Sequence, residues 1–138
     1  MSLRILLVRH GLSSFNLEHR IQGRDDLSSL TDVGAKQALA TGEALRGLTI
    51  DAAYSSPLRR AHDTAKALLA AQGSSVDLQL SDDLLEVDLA PWSGLLSSEV
   101  QAQFSEDYAT WKRSPEQLQL RRADGSEYAP IPELMAQA

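Results

Sequence analysis

Two short stretches of this chain combine residue types that can bind and attack an anion. Arg9, His10 and Gly11 directly follow an aliphatic run, and Arg59 stands two residues after Pro57, at the start of a predicted helix. Guanidinium groups suit bidentate binding of oxyanions, and the amides at a helix N-terminus favour negative charge. If the two stretches meet, they form a phosphate site around His10. The alternative is that Arg9 and His10 simply end a strand and face solvent.

The predicted secondary structure brings the two stretches together. Hydrophobic patterning predicts strands over 3–8, 51–55 and 76–80, and helices over 32–46 and 57–72. Thr31 or Asp32 caps the first helix, Ser56 caps the second, and Gly47 and Gly73 end them. A further helix is predicted from a capping box at Ser98 and Gln101, carrying Val100, Phe104, Tyr108 and Trp111. Alternating strands and helices predict an α/β fold with a largely parallel sheet, whose ligands bind beyond the carboxyl ends of the strands.

Composition limits the classes of protein to which the chain can belong. Its 138 residues fit one domain, 1–138, with 43% hydrophobic and 23% charged residues. There are no cysteines, which excludes a disulfide scaffold and a thiolate zinc site. The net charge of −6 argues against general nucleic-acid binding. The longest apolar run is far shorter than the roughly 20 residues of a membrane span, so we expect a soluble, cytoplasmic protein without a membrane partner.

Several blocks of the sequence resemble the histidine phosphatase superfamily, also called the phosphoglycerate mutase-like family. Val8 to Gly11, followed by Ser13 and Asn16, is similar to the signature of that family. The further matching blocks are Arg20–Gly23, Leu30–Gly34 with Gln37–Ala38, Tyr54–Ala61 with Thr64–Ala65, and Leu85–Glu86 with Trp92 and Gly94. The blocks cover most of residues 3–94 in the order of the family. The resemblance implies a three-layer fold with helices on both faces of a mostly parallel sheet.

The resemblance also implies a role for the histidine and the arginines. His10 would be the nucleophile and form a phosphohistidine, which splits the transfer into two steps. Its attacking ring nitrogen must be unprotonated, so the other nitrogen should donate to a fixed acceptor, most simply a backbone carbonyl. Arg9 and Arg59 would bind the phosphoryl oxygens. Arg60 is expected to point elsewhere, because consecutive helical side chains diverge by about 100°.

The remaining implied site residues complete a metal-independent centre. Ser13 and Asn16 would be neutral donors to the phosphate, and Gly23 would help to bind the substrate. Glu86 would protonate the leaving alkoxide and later activate water, and we expect burial to help it hold that proton near neutral pH. No metal and no cofactor is expected, because arginines replace the cations of other phosphotransfer enzymes.

The sequence departs from the family pattern at its second histidine. Relatives use a histidine on a late strand, whereas the histidines of this chain are His10, His19 and His62. The segment from Ile131 resembles a last long helix just beginning. We therefore expect a truncated member of the family, incomplete at its C-terminus, weakly active or inactive alone and prone to associate.

Three functions follow from these observations. The first is a phosphomonoester hydrolase acting on a small phosphorylated metabolite through phosphohistidine. The second is a phosphoglycerate mutase-type phosphotransferase, which we disfavour because 20–24 lacks the glycine–tryptophan pair that mutases of this family carry. The third is a non-catalytic phosphate-binding remnant, because the second histidine is absent. The expected partners are a small phosphorylated substrate and, in a homodimer, a second copy of the chain.

Overall fold

Helices and short strands alternate through the first half of the computed structural model, which describes residues 2–137. In chain order the elements are α1 Ser14–Leu17, α2 Asp32–Ala44, β1 Ala53–Ser55, α3 Arg59–Gln72, β2 Leu78–Leu80, α4 Ser97–Gln103, α5 Ser105–Arg113, β3 Leu120–Arg121, β4 Glu127–Tyr128 and α6 Pro130–Gln137. Short 3₁₀ turns lie at Asp82–Leu84, Ala90–Trp92 and Pro115–Gln117. The α/β fold class predicted from the sequence is confirmed.

Helix α2 begins where its capping residue predicts. The Thr31 hydroxyl accepts a hydrogen bond from the Gly34 amide at 3.0 Å, which satisfies one of the free N–H groups of the first turn. Ala38 and Gly42 of this helix are buried. A Cβ atom at Gly42 would collide with the Leu68 carbonyl oxygen of α3. The two helices therefore pack with their backbones in near contact at this glycine.

Helix α3 begins two residues later than predicted, at Arg59 rather than at Pro57. Ser56 is therefore not the N-cap, and the predicted start is wrong. A carboxylate distant in sequence takes over the capping: Asp26 Oδ1 accepts a hydrogen bond from the Arg59 amide at 2.7 Å. The predicted end of the helix is confirmed, because Gly73 adopts the left-handed conformation with φ of 84°.

The parallel sheet is smaller than predicted. Strands β1 and β2 pair in parallel, with Ala53 opposite Leu78. The predicted buried strand over 3–8 is wrong: within residues 2–137 this segment pairs with no strand, and Leu3, Ile5 and Leu7 are 85%, 70% and 93% exposed. Aliphatic patterning indicates a tendency to form a strand, but backbone pairing requires a neighbouring strand.

Apolar side chains surround Trp92, which is completely buried. The rings of Phe104, Tyr108 and Trp111 lie around it with centroid distances of 6.3–6.4 Å. The turn that carries Trp92 exchanges backbone hydrogen bonds with residues near the candidate site: the Gly94 amide donates to the Ile21 carbonyl at 2.8 Å. The aromatic cluster thereby anchors the segment that leads into residues 22–26.

The predicted helix over this region is present but interrupted. It divides at Phe104 into α4 and α5, because Phe104 has φ of −128° and ψ of 48° and leaves the helical conformation. The predicted capping box at Ser98 is wrong. The carboxylate of Glu99 accepts the hydrogen bond from the Leu96 amide at 2.9 Å, so the N-cap is Leu96 and the helix begins two residues earlier than predicted. Within residues 2–137, none of the helices combines the length and apolar character needed to cross a membrane.

The exposed segment 3–8 predicts self-association of this chain. Its unpaired backbone and aliphatic side chains can pair with another extended strand, and lysines on such an edge oppose pairing. We expect the double variant Ile5→Lys, Leu7→Lys to sediment as a smaller species than the wild type at equal concentration. Sedimentation velocity over a range of concentrations measures this difference. Leu39→Lys, at an exposed position of α2, is the matched control, and association unaffected by the double variant would contradict the prediction.

Candidate active site

His10 follows the exposed segment 3–8 and is itself half-buried. Its Nδ1 atom lies 2.7 Å from the carbonyl oxygen of Gly11. A carbonyl oxygen can only accept, so Nδ1 carries the proton and Nε2 keeps its lone pair in the neutral ring. The predicted hydrogen bond from the second ring nitrogen to a backbone carbonyl is present. The imidazole is held in the tautomer that a nucleophile requires.

Gly11 fixes the position of the histidine against two helices. Its amide donates to Thr64 Oγ1 at 3.0 Å, and the same hydroxyl donates to the Arg60 carbonyl of α3 at 2.6 Å. A Cβ atom at Gly11 would collide with the backbone of Gly34 in α2. The missing side chain at Gly11 lets α2 approach the backbone next to His10.

A cavity of about 80 Å³ opens beside His10 between this segment and helices α2 and α3. It is several times larger than the roughly 10–15 Å³ that one water molecule needs. The residues lining it are Val8, Arg9, His10, Gly11, Gln37, Ala38, Thr41 and Thr64. The lining is mostly polar and contains one arginine, so the cavity suits a small, polar, anionic group.

The two consecutive arginines at the start of α3 have different surroundings from those predicted. Arg59 is exposed, whereas Arg60 is only 1% exposed. The guanidinium of Arg60 donates to the carbonyl oxygens of Gly23 at 2.6 Å and of Asp25 at 3.1 Å. The two side chains diverge, as predicted, and Arg60 turns into the backbone carbonyls of residues 23–25.

Nearby carboxylates oppose the effect of burial on the pKa of Arg60. Burial lowers the pKa of its guanidinium, and the nearby carboxylates of Glu86, Asp26 and Asp25 act in the opposite direction and raise it. A guanidinium titrates so far above neutrality that it keeps its proton. The loop 23–26 therefore surrounds a permanent positive charge, although the chain as a whole is acidic.

Gly23 and Glu86 lie on either side of this charge. Gly23 is buried with φ of 50°, and a Cβ atom there would approach the Leu89 amide to 3.1 Å. The Glu86 side chain is exposed, so its expected burial is wrong, and its Oε1 atom accepts from the Val87 amide at 2.9 Å. The Nε atom of Arg24 donates to the Glu86 carbonyl at 2.7 Å and ties the acidic residue to the loop.

Ser13 and Asn16 belong to a hydrogen-bonded cluster with Gln22 and Ser28. Ser13 is completely buried, and its hydroxyl lies 2.6 Å from Gln22 Oε1 and 2.8 Å from Asn16 Oδ1. The single hydroxyl proton is committed inside this cluster. This placement corrects the expectation that Ser13 donates to a phosphate. Asn16 and Gln22, by contrast, are both half-buried.

The comparisons with known proteins agree with this arrangement. The histidine phosphatase superfamily (branch 1) matches residues 5–131 of the chain. The chain belongs to this superfamily. The chain is 38% identical over 112 residues to a probable 2-carboxy-D-arabinitol-1-phosphatase of Arabidopsis thaliana, covering 81% of this chain and 23% of the relative. It is also 38% identical over 119 residues to a 2,3-bisphosphoglycerate-dependent phosphoglycerate mutase of Bartonella tribocorum, covering 83% of this chain and 57% of that one.

Among solved structures, Bacillus stearothermophilus YhfR superposes with a TM-score of 0.81 and 25% identity, covering 94% of this chain and 60% of that chain. The chain thus spans between 23% and 60% of the length of these relatives. The match confirms the recognition made from the sequence blocks and the phosphoglycerate mutase-like fold.

Three contributors to this histidine phosphatase site were missed by sequence reasoning: Arg60, Thr64 and Gln22. One signal could have found the first two. Arg60 and Thr64 stand at four-residue intervals on the same helical stripe as Leu68 and Gln72, and all four are buried. The side chain of Gln22 forms hydrogen bonds with residues 6 and 9 positions away, and no helix or strand periodicity predicts such contacts. Across residues 2–137, the His, Asp and Glu side chains form no group of three that could hold a metal ion.

We expect Gly11→Ala to destabilise the protein by at least about 1–3 kcal/mol, the typical effect of overpacking, because the added methyl group meets backbone atoms that cannot rotate away. Urea denaturation followed by circular dichroism measures the change in the free energy of unfolding. Gly47→Ala is the matched control, since an added Cβ atom there meets nothing within 4 Å. Equal stabilities of the two variants would show that α2 is not in contact with Gly11.

Proposed function

We propose that the chain is the phosphate-binding part of a phosphomonoester hydrolase that acts through a phosphohistidine at His10. The observation that carries the proposal is the 2.7 Å hydrogen bond between His10 Nδ1 and the Gly11 carbonyl. It directs the lone pair of the imidazole to Nε2, the atom that would attack phosphorus. The substrate class is a small phosphorylated metabolite, and the expected compartment is the cytoplasm.

The proposed reaction has two displacements at phosphorus. First, His10 Nε2 forms the N–P bond while the P–O bond to the leaving alkoxide breaks, and Glu86 gives its proton to that alkoxide. Second, a water molecule attacks the phosphohistidine, Glu86 takes its proton, and the N–P bond breaks to release phosphate and free histidine. Arg9 and the amide of Asn16 would stabilise the charge on the phosphoryl oxygens.

Arg60 has a supporting part in this proposal. Its guanidinium is buried among the carbonyls of Gly23 and Asp25, so it fixes the loop and supplies positive potential beside Glu86. Arg59, with its exposed side chain, would reach a phosphate only at the mouth of the site. Its predicted role in binding the phosphate remains a prediction.

A mutase is the second candidate, because a phosphoglycerate mutase is among the relatives. In a mutase the phosphoryl group would pass from histidine to a second hydroxyl of the substrate rather than to water. We favour hydrolysis because Gly23 is followed by Arg24, where the mutase pattern described above requires a tryptophan. A homodimer formed through segment 3–8 is compatible with either reaction.

The test of the function is incubation with p-nitrophenyl phosphate and detection of acid-labile phosphate on the protein. We expect turnover and phosphohistidine in the wild type, and loss of both in His10→Gln. His62→Gln, a histidine of α3 outside the proposed site, is the matched control. Turnover with His10→Gln at the wild-type rate would contradict the mechanism, and phosphohistidine that is not hydrolysed by water would favour the mutase. Phosphate binding without phosphohistidine would identify a non-catalytic phosphate-binding domain.

The two arginines give a second prediction. We expect Arg60→Met to reduce phosphate binding and turnover much more than Arg59→Met, because removing the buried cation also leaves the Gly23 and Asp25 carbonyls without their donor. The truncation of a group that stabilises developing charge typically lowers the rate by about 10²–10³. Phosphate affinity measured by calorimetry and thermal unfolding separate loss of the site from loss of the fold. A larger effect of Arg59→Met would contradict this prediction and would support Arg59 as the arginine that binds the phosphoryl oxygens.

A further inference from the structure

The cluster of four polar side chains behind the candidate site has no assigned task in the proposed reaction. Ser13 and Ser28 are completely buried. The Oε1 atom of Gln22 lies 2.6 Å from the hydroxyl of Ser13 and 2.7 Å from the hydroxyl of Ser28. The Nε2 atom of Gln22 lies 3.1 Å from Oδ1 of Asn16. One glutamine thus connects two buried hydroxyls to the half-buried Asn16.

Backbone donors determine which way the protons point in this cluster. The backbone N–H of Asn16 donates to Ser13 Oγ at 3.3 Å, and the backbone N–H of Phe15 donates to Ser28 Oγ at 3.2 Å. Each serine oxygen therefore already accepts a hydrogen bond, and its single proton is available to donate. Both hydroxyls face Gln22 Oε1, which can only accept, and the Ser13 hydroxyl also lies 2.8 Å from Asn16 Oδ1, a second acceptor. The side-chain amide of Gln22 is consequently held with its oxygen toward the serines and its NH₂ group toward Asn16.

This orientation is transmitted to Asn16. The Gln22 NH₂ group donates to Asn16 Oδ1, so the oxygen end of the Asn16 amide is turned inward and its NH₂ end is directed away from Gln22. A phosphoryl group needs a donor, and an asparagine in the opposite orientation would present an oxygen to it. We propose that Gln22 is a positioning residue, which makes Asn16 present its NH₂ group to the bound phosphate. The proposal rests on the proposed function above and adds a residue to it.

The orientation of the Asn16 side-chain amide can be measured directly, because the chain contains a single asparagine. Asn16 is the only asparagine of the sequence, so protein labelled with ¹⁵N-asparagine gives one side-chain NH₂ pair in a ¹H–¹⁵N spectrum. In the free wild-type protein we expect one sharp pair, which shifts when inorganic phosphate is added. In Gln22→Met, Asn16 Oδ1 keeps only the Ser13 hydroxyl at 2.8 Å as a donor, and we expect a shifted or broadened pair and phosphate affinity reduced about tenfold, the effect of one hydrogen bond to a charged group.

A double-mutant cycle separates positioning from direct contact. If Gln22 acts through Asn16, the variant Asn16→Ala binds phosphate weakly, and adding Gln22→Met to it has no further effect. Gln22→Glu is the second variant, because it keeps the shape and both acceptor positions for the serine hydroxyls while removing the donor to Asn16. Any repulsion of phosphate by its new charge persists in the Asn16→Ala background and can be subtracted. Gln101→Met, at an exposed position of α4, controls for the loss of a glutamine.

The outcomes distinguish this inference from the proposed function. Equal phosphate affinity and an unchanged Asn16 signal in Gln22→Met would overturn the positioning role, as would equal effects of that variant with and without Asn16. If the wild-type protein neither binds phosphate nor forms phosphohistidine, the proposed function fails. The free-protein spectra of wild type and Gln22→Met would then still decide whether Gln22 orients the Asn16 amide.

Discussion

The arrangement of the site depends on a close crossing of three backbone segments. Gly11 meets Gly34 with no room for a side chain on either residue, and the hydroxyl of Thr64 joins the Gly11 amide to the carbonyl of Arg60. The contact unites the segment after His10 with the N-terminal turns of α2 and α3. A small displacement of either helix would therefore move the backbone next to the histidine. The glycines serve the approach of backbones here rather than flexibility, since neither residue has a positive φ.

The crossing also explains why a charge is buried in so small an α/β unit. Thr64 and Arg60 are one helical turn apart, so the residue that holds Gly11 fixes the rotation of α3 that buries the arginine. A buried ion is tolerated only when its donors find acceptors, and leaving its partners unpaired is strongly destabilising. The carbonyls of Gly23 and Asp25 supply those acceptors. The loop conformation and the helix rotation therefore stabilise each other.

Local signals in the sequence predicted the features that depend only on neighbouring residues. The Thr31 cap and the end of α3 at Gly73 belong to this group, because each is decided within about four residues. The hydrogen bond of His10 Nδ1 to a backbone carbonyl was instead predicted from the role that the resemblance implies. The family blocks added the order of the site residues along the chain, and the superfamily match confirmed the recognition. What failed were features set by distant partners. The start of α3 depends on Asp26, which lies 33 positions away from Arg59.

The loop that a buried side chain faces is another feature that distant residues determine. Sequence alone establishes that Arg59 and Arg60 diverge, but the loop that one of them faces is 35–37 residues distant. Glu86 is a further example, since its implied role predicted burial and the structure leaves it exposed. A role implied by resemblance thus does not determine the surroundings of a residue.

The unpaired segment 3–8 determines how His10 must be held. In a parallel sheet a nucleophile at a strand end is fixed by hydrogen bonds from both neighbouring strands. Here the hydrogen bonds come from α2 and its capping residue. The backbone N–H of Leu12 donates to Gln37 Oε1 at 2.9 Å. The carbonyl oxygen of Leu12 accepts from the backbone N–H of Thr31 at 2.9 Å and from its hydroxyl at 2.8 Å. These three bonds and the Thr64 bridge lie after the histidine in the chain. The imidazole is therefore anchored from its C-terminal side, and pairing of segment 3–8 with another strand would constrain it from the other side as well.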